Sequence, residues 1–361
     1  MAWPGNAVNS RRVANVIGLG LVGGSIAIGL RSRGWRVCGE DANPATLERA
    51  LQMRVIDTAG LEGDAAITFV AVPVLAVADQ VKRALDETTG AVTDVGSVKA
   101  AICEACADPR FVGGHPMAGS ELDGLDGADG EMFNGAIWVL TPGPHTDART
   151  LSSVSGVVKL LEAEVVALAP DRHDQVVAVV SHVPHLAAAT LMTLAADRAE
   201  EHAALLRLAA GGFRDMTRIA SGHPAIWLDI CAENRPAIVA ALDGLLERLT
   251  EIRGVVDRED RSALHDTLTR ARDARTNLPG RVTHPEAMAE VRIPIPDRTG
   301  AAAELFMLAA ELGVNIANFE VVHMAESNRG VAVVLVDAAA TDLFRGGLMA
   351  RGFKPAVTPL V

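Results

Sequence analysis

Tyrosine is absent from this chain of 361 residues, and only four cysteines occur, Cys38, Cys103, Cys106 and Cys231. Such sparse use of cysteine is typical of a reducing compartment, so we expect a cytoplasmic protein. Cys103 and Cys106 have the Cys-x-x-Cys spacing of a zinc ligand pair, but a zinc site needs four ligands and no second pair lies nearby. We therefore interpret these cysteines as packing residues and predict no metal site.

Long runs of basic or apolar residues are also missing. The chain has 33 basic and 45 acidic residues, a net charge of −12, and no basic run long enough to form a nucleic-acid surface. Outside the glycine-rich segment near the start, no span of about 18 uninterrupted apolar residues indicates a membrane helix. Ser10-Arg11-Arg12 precedes an apolar stretch, as in a signal peptide, but no A-x-A-like cleavage site follows. We expect neither a nucleic acid nor a membrane as a partner.

The glycine-rich segment indicates a dinucleotide-binding site. Strand Val13–Ile17 leads into Gly18-Leu19-Gly20-Leu21-Val22-Gly23, and a helix is predicted from about Gly24 to Arg31. Between a strand and a helix, G-x-G-x-x-G allows a tight turn, close approach of a pyrophosphate and close packing of the helix. The free amides at the helix N-terminus would then bind the phosphates. The alternative is that the glycines only mark a turn.

An acidic pair decides which dinucleotide is expected. The second predicted strand ends at Glu40-Asp41, where a carboxylate accepts hydrogen bonds from ribose hydroxyls and repels a 2′-phosphate. No Arg or Lys occurs in Asp41-Ala42-Asn43-Pro44 to hold such a phosphate. We therefore predict NAD rather than NADP, with Asp41 rather than Glu40 as the ribose ligand.

Three regions differ in their hydrophobic pattern, as a chain of this length allows. Near-continuous apolar strands alternate with helices up to about residue 168, which predicts a mostly parallel sheet covered on both faces. A helical region follows, and the C-terminal part has the order βαββαβ. The predicted domains are a Rossmann-like NAD-binding domain at 1–169, a helical substrate and dimerisation domain at 170–278, a linker at 279–287 and a small module at 288–361.

One apolar seam in the helical region points to a dimer. Its residues repeat at intervals of four and three, as in helices that pack along one another: Ile238, Leu242, Leu245, Leu249, Ile252 and Val256. An ordinary buried helix within one subunit is the alternative. We predict a homodimer through this region.

Two candidate chemical groups follow predicted strands, at the sheet edge where ligands bind in open α/β folds. Ser97, in Asp94-Val95-Gly96-Ser97, could hydrogen-bond a substrate hydroxyl or the nicotinamide amide; the alternative is that it caps a helix. His115, in Gly113-Gly114-His115-Pro116 and expected on a loop, is suited to accept a proton at neutral pH. Glu121 could orient an active-site group or gate entry, or be a solvated loop acid.

Two further groups lie in the helical region. His182 and His185 in Ser181-His182-Val183-Pro184-His185 share a helix face, and Pro184 is expected to kink the helix and turn His185 toward a pocket. Arg214 and Arg218 are four residues apart, so one helix face could bind an anionic substrate such as a carboxylate. An exposed arginine face paired with Asp215 is the alternative, but the apolar neighbours predict burial.

These motifs, in this order, resemble those of the prephenate dehydrogenase family over nearly the whole chain. The carrying segments are Gly18–Gly24, Val70-Ala71-Val72-Pro73, Asp94–Lys99, Gly114–Gly119, Ser181–His185 and Phe213–Ala220. The C-terminal module is similar to an ACT domain, which implies an amino-acid effector such as tyrosine. Its Asp297-Arg298-Thr299-Gly300 has Thr299 where ACT domains commonly have proline. Since the chain starts almost directly at the glycine loop, we expect no N-terminal chorismate mutase domain.

The resemblance implies NAD-dependent oxidative decarboxylation of prephenate to 4-hydroxyphenylpyruvate, in tyrosine biosynthesis. His115 would accept the proton of the ring hydroxyl, Ser97 would bridge the substrate hydroxyl and the cofactor, and Arg218 would hold the ring carboxylate. The side-chain end of the substrate would meet His185, Arg214 and Trp227, and Val72 and Pro73 would join the glycine loop around the cofactor. The alternatives are an arogenate dehydrogenase and a non-catalytic NAD and amino-acid sensor.

Overall fold

The computed structural model describes residues 12–119, 122–201, 211–222, 224–276, 288–296, 298, 300–323 and 329–359. The chain divides into two compact units. The first contains Met1–Leu194 and Thr217–Arg248, and the second contains Ala195–Met216 and Leu249–Val361. The predicted linker at 279–287 lies outside the described residues.

An eight-stranded sheet forms the centre of the first unit, in the order β3-β2-β1-β4-β5-β6-β7-β8. All neighbouring strands are parallel except β6 and β7, so the predicted, mostly parallel sheet is confirmed. The strands are β1 Val13–Ile17, β2 Arg36–Glu40, β3 Thr58–Ala59, β4 Ile67–Val70, β5 Ala91–Asp94, β6 Phe111–Pro116, β7 Ile137–Thr141 and β8 Glu164–Ala167.

Helices cover this sheet and continue beyond it. Strands β1, β4 and β5 are buried at every position, as expected of a sheet packed on both faces. On one face Phe69 and Phe133 pack against Trp138, with ring centroids 6.3 and 5.0 Å away. The helices are α1 Leu21–Ser32, α2 Pro44–Gln52, α3 Val74–Glu87, α4 Ala100–Ala105, α5 Ala148–Leu160, α6 Pro170–Val177, α7 Val183–Glu201, α8 Gly211–Thr217, α9 Pro224–Glu233, α10 Arg235–Asp257 and α11 Arg261–Thr276.

Two element boundaries differ from the prediction. Helix α1 begins at Leu21 rather than near Gly24, so Gly23 lies in its first turn, where a Cβ would lie 1.9 Å from the Gly18 carbonyl oxygen. Strand β6 continues to Pro116, where it pairs with β7 through His115 opposite Val139. His115 therefore lies on the end of a strand and not on a loop, which fixes its backbone.

A π-helical turn, Ala178–His182, joins α6 to α7. The sequence did not predict this turn, whose type inserts one residue into an α-helix and is frequent at functional sites. The predicted kink at Pro184, two residues after the turn, stays a prediction. The resulting helical stretch 170–198 contains a window of 18 residues that is long and apolar enough to cross a membrane by length and composition alone. A core helix passes the same test, and polar contacts described below join this stretch to His115 on β6 and to the start of α4.

The second unit contains a four-stranded antiparallel sheet in the order β10-β11-β9-β12. Strand β9 alternates buried and open positions, so one face packs on helices. Its core includes Val291, Leu305 and Phe344. The elements are β9 Met288–Pro296, α12 Ala301–Leu312, β10 Ile316–His323, β11 Arg329–Asp337, α13 Thr341–Ala350 and β12 Ala356–Pro359.

Candidate active site

The glycine loop lies between β1 and β4, where the strand order of the sheet reverses. Gly18 has φ of +90°, and a Cβ there would lie 2.3 Å from the Ala71 carbonyl oxygen. Gly20 is the N-cap residue of α1, and the space around it is open. The amides of Leu21 and Val22 lie in the first turn of the helix, where main-chain amides have no intrahelical acceptor. These features fit a pyrophosphate group at the helix N-terminus.

Asp41 and Glu40 differ in what they contact. The Asp41 carboxylate accepts hydrogen bonds from the Leu19 amide and the Asn43 amide, both at 2.8 Å, so it is held against the glycine loop. Glu40 instead pairs with Arg83 at 2.7 Å. The geometry thus favours Asp41 as the ribose ligand, and the Arg83 guanidinium is already paired with carboxylates.

Val72 and Pro73 follow β4, next to the glycine loop. A Cβ on Gly18 would lie 3.1 Å from a methyl carbon of Val72, and Pro73 is the N-cap residue of α3. Their contact with a dinucleotide stays a prediction.

His115 begins a chain of hydrogen-bonded side chains that leads away from the sheet edge. Its Nδ1 lies 2.8 Å from Nε2 of His173, and Nδ1 of His173 lies 2.8 Å from Oδ1 of Asp174. His173 and Asp174 both come from α6 and are buried. The Asp174 carboxylate also accepts the main-chain amides of Lys99 and Ala100, each at 2.8 Å.

The hydrogen-bond partners along this series of side chains assign a tautomer to each ring. A carboxylate can only accept, so His173 donates from Nδ1, and the tautomer with its one ring hydrogen there accepts at Nε2. His115 must therefore donate from Nδ1, which leaves the lone pair on its Nε2. Burial lowers the pKa of His115 well below 6.5, and the neighbouring His173, Lys99 and His182 lower it further. His115 is thus neutral at pH 7, with a base at Nε2.

Ser97 lies on the segment between β5 and α4 and does not cap a helix. The N-cap of α4 is Lys99, no side chain of this segment caps it, and Asp174 accepts its first amides from across the fold. Ser97 instead lines a cavity of about 960 Å³ together with His115, His182, His185, Arg218 and Trp227. The sequence-predicted serine, histidines, arginine and tryptophan are therefore brought together.

The two histidines of the π-turn region have different partners. His182 is 1% exposed, and its Nδ1 lies 3.2 Å from the Asn234 amide nitrogen, which also donates to the Asp174 carbonyl at 2.9 Å. His182 therefore accepts at Nδ1 and has a hydrogen at Nε2, and burial lowers its pKa to about 4. His185 stacks on Trp227 with ring centroids 3.6 Å apart, and burial lowers its pKa as well.

The arginine prediction is wrong in two respects. Helix α8 ends at Thr217 and Arg218 opens a 3₁₀ turn, so the two arginines do not share one regular helix. Both residues are exposed rather than buried. Arg218 lines the cavity, whereas a role for Arg214 stays a prediction. Glu121 lies outside the described residues.

Sequence reasoning missed His173, Asp174 and Asn234. All three act on residues far away along the chain: Asp174 is 75 residues from Lys99, and Asn234 is 60 residues from Asp174. The only local signal is the adjacent His-Asp pair at the start of a helix. Among the residues that the structure describes, no group of three or more His, Cys, Asp or Glu is placed to hold a metal ion.

Two family models match consecutive parts of the chain. The prephenate dehydrogenase nucleotide-binding domain matches residues 26–167, and the prephenate dehydrogenase dimerization domain matches residues 169–270. A prephenate dehydrogenase of Bacillus subtilis is 33% identical over 87% of this chain and 89% of its own length. The chain belongs to the prephenate dehydrogenase family.

Solved structures of two relatives have the same fold. Prephenate dehydrogenase of Aquifex aeolicus, in complex with hydroxyphenyl propionate and NAD⁺, is 29% identical with a TM-score of 0.70 and covers 76% of this chain and all of its own. Arogenate dehydrogenase of Synechocystis is 31% identical with a TM-score of 0.65 and covers 73% of this chain and 98% of its own. The family therefore includes members named for either substrate.

Proposed function

We propose that this protein is a prephenate dehydrogenase that converts prephenate to 4-hydroxyphenylpyruvate by oxidative decarboxylation. The observation that carries the proposal is the neutral His115, whose Nε2 is left as a base in a cavity shared with Ser97 and Arg218. NAD, bound by Gly18, Gly20, Leu21, Val22, Gly23, Asp41, Val72 and Pro73, would supply the hydride acceptor.

His115 removes the proton of the ring hydroxyl at its Nε2. The positive charge that then forms on its ring is stabilised through the Nδ1–H to His173, whose own Nδ1–H is held by the Asp174 carboxylate. Because the Asp174 carboxylate also binds two main-chain amides, it stays in place while the charge changes. The hydride leaves the carbon that bears the hydroxyl for the acceptor, and that oxygen becomes a carbonyl. Loss of the ring carboxylate as carbon dioxide then leaves its electron pair in the ring, and the oxygen of the aromatic product regains the proton held by His115, so the protein needs to supply no second base.

Arg218 and Ser97 orient the substrate on either side of this base. The Arg218 guanidinium would bind the ring carboxylate, and the Ser97 hydroxyl would contact both the substrate hydroxyl and the nicotinamide amide. A guanidinium in the cavity also favours an anionic substrate over a neutral one. Glu121 is proposed to gate the cavity, which is the role that the family resemblance implies.

The side-chain end of the substrate distinguishes prephenate from arogenate, which has an amine in place of the keto group. The His185 ring, stacked on Trp227, and the neutral His182, with its hydrogen on Nε2, line this cavity. A hydrogen-bond donor without a positive charge suits a keto oxygen, which supports prephenate. Arg214 is proposed for the same end. Arogenate stays the alternative substrate because the family contains such an enzyme.

Helices of the 170–278 region are proposed to form a homodimer interface. Val239 and Leu246 are seven residues apart on α10, and they are 48% and 59% exposed. Part of the predicted seam is used inside the chain, because Ile238 packs with Val98, Ala178 and Ile230. The match of a dimerization-domain model to residues 169–270 supports the proposal, as it supports the domain division at 169/170.

Residues 288–361 are proposed to be an ACT-like regulatory module that binds an aromatic amino acid. The order strand, helix, strand, strand, helix, strand supports this, and Gly300, with φ of +88°, permits the tight turn before α12. Asp297 and Thr299 of the same turn lie outside the described residues. A non-catalytic NAD sensor is the alternative from another class, and the intact His115 and Ser97 favour an enzyme.

The substitution His115→Asn tests the catalytic proposal. Asparagine keeps a hydrogen-bonding side chain but provides no base, so kcat should fall by about 10²–10⁴-fold. NAD affinity, measured by fluorescence titration, should stay within about twofold because the glycine loop is untouched. A variant that turns over prephenate at the wild-type rate would exclude His115 as the proton acceptor.

A further inference from the structure

A buried ion pair lies directly behind the base and the serine. Asp94 ends strand β5, and its carboxylate pairs with the Lys99 ammonium; both side chains are 0% exposed. A buried pair of this kind costs desolvation energy, and replacement by apolar residues is often neutral or stabilising elsewhere. Its contacts suggest what this pair does beyond holding the fold.

The Asp94 carboxylate connects the two segments that carry the proposed catalytic groups. Its Oδ2 accepts the Gly96 amide at 2.8 Å, one residue before Ser97. Its Oδ1 accepts the Gly114 amide at 3.1 Å, one residue before His115. One carboxylate thus sets the backbone positions of both residues.

Lys99 connects the same carboxylate to the histidine chain. Its ammonium binds Asp94, and its main-chain amide donates to the Asp174 carboxylate that holds His173. The backbone around the pair has no spare room. A Cβ on Gly114 would lie 2.6 Å from the Asp94 carbonyl oxygen, and one on Gly113 would lie 3.2 Å from Lys99 Cδ. Thr141 Oγ1 is closer still to that position on Gly113, at 2.4 Å, so both glycines before His115 lie in tightly packed surroundings that include the pair.

We infer that the Asp94–Lys99 pair is a positioning device that sets both the geometry of Ser97 and His115 and the net charge behind His115. The inference rests on the proposed function for its effect on turnover. Asp94 and Lys99 contact neither the cavity nor, by this proposal, the substrate, so they act through their neighbours.

Opposite charges in the pair make this inference testable. Lys99 alone disfavours a proton on His115, and its charge lowers the pKa of His115. A lone carboxylate at Asp94 would have the opposite effect, so removal of either partner changes the net charge behind His115. The other groups facing His115 are His173 and Asp174 from α6, His182 from the π-turn, and Asp123, His185 and Arg218 around the cavity. None of these is changed by a substitution in the pair.

Three variants of the full-length protein separate charge from geometry: D94N, K99M and D94N/K99M. In D94N the uncompensated ammonium should move the pKa of His115 down by about one unit, the size expected of a buried charge at an effective dielectric constant near 20. In K99M it should move up by about as much. In the double variant it should return near the wild-type value.

NMR titration of the labelled His115 ring measures the pKa of His115 and needs no substrate. The acid limb of the pH profile of kcat/KM for prephenate is measured on the same variants. All three variants should lose at least about tenfold in kcat. The amide of D94N has one oxygen and cannot accept from both main-chain amides, and the Asp94 carboxylate of K99M shifts when its partner is removed.

The control is T68V. It removes the buried Thr68 hydroxyl on β4, which accepts a hydrogen bond from the Asn15 side chain at 3.2 Å. It should lower Tm and leave the titration of His115 unchanged.

Shifts of the same sign in D94N and K99M, or no shift in folded variants, would overturn the inference. If D94N does not fold, K99M and the double variant still test the sign. A wild-type protein that does not turn over prephenate would defeat the proposed function alone, because the NMR titration reports on the pair without turnover.

Discussion

Three histidines near the proposed reacting position differ in their hydrogen-bond partners. His115 is neutral because burial lowers its pKa, whereas His173 donates from Nδ1 to Asp174 and accepts at Nε2 from His115. His182 accepts a hydrogen bond from Asn234, which leaves no room for a proton on that nitrogen. The His115 and His182 rings, the Ser97 hydroxyl and the Arg218 guanidinium all line the cavity.

The burial of His182 predicts a pH dependence of stability. Its pKa is about 4 in the folded chain and near 6.5 when unfolded, so the unfolded chain binds the extra proton between these values. The free energy of unfolding should therefore fall as pH decreases from 7 to 5, by about 2 kcal/mol from this residue alone. Urea titrations at both pH values measure the loss, which should shrink by that amount in H182N. An equal loss in H182N and wild type would contradict the prediction.

Residues whose role is local could be predicted from the sequence. Gly18 and Gly23 follow from a turn that leaves no space for side chains, and the edge position of Ser97 follows from the strand before it. His173 and Asp174 could not, because their partners are separated from them by 58 and 75 residues. The sequence of α6 shows them only as polar residues at the start of a helix.

At the scale of elements, strand β1 has the bounds that the sequence predicts, Val13–Ile17, where every position is buried. The end of β6 was missed, because Gly113 and Gly114 indicate a loop unless the pairing with β7 is known. The π-turn at Ala178–His182 was not predicted either, because one residue inserted into a helix leaves the helix propensity of the segment unchanged. The arginine prediction failed because α8 ends at Thr217.

The exposed apolar face of α10 predicts a dimer at this scale. Val239→Glu with Leu246→Glu would bury two carboxylates without partners in the interface, which costs several kcal/mol. We expect the wild-type protein to sediment as a dimer at micromolar concentration and this variant as a monomer. The matched control is Leu51→Glu on α2, which is 39% exposed and outside this region. A wild-type monomer would exclude the dimer.

For the whole molecule, the second unit predicts regulation. If the βαββαβ module binds an aromatic amino acid, titration of the full-length chain with tyrosine should release or absorb heat with a single-site isotherm. The same addition should raise Tm at saturation, because a ligand that binds only the folded state stabilises it. Phenylalanine and tryptophan are the matched comparisons. No heat and no change in Tm with any amino acid would exclude the module as an amino-acid sensor.

The central claim is that His115 acts as the base on prephenate, and the most direct measurement is NADH formation by the purified protein with NAD. Prephenate and arogenate are supplied separately at equal concentration. The account predicts turnover with prephenate and an acid limb of kcat/KM below pH 6.5, since the pKa of His115 is lowered. Turnover mainly with arogenate would keep the proton chain but reassign the cavity around His182 and His185. No turnover with either, despite measurable NAD binding, would contradict the account.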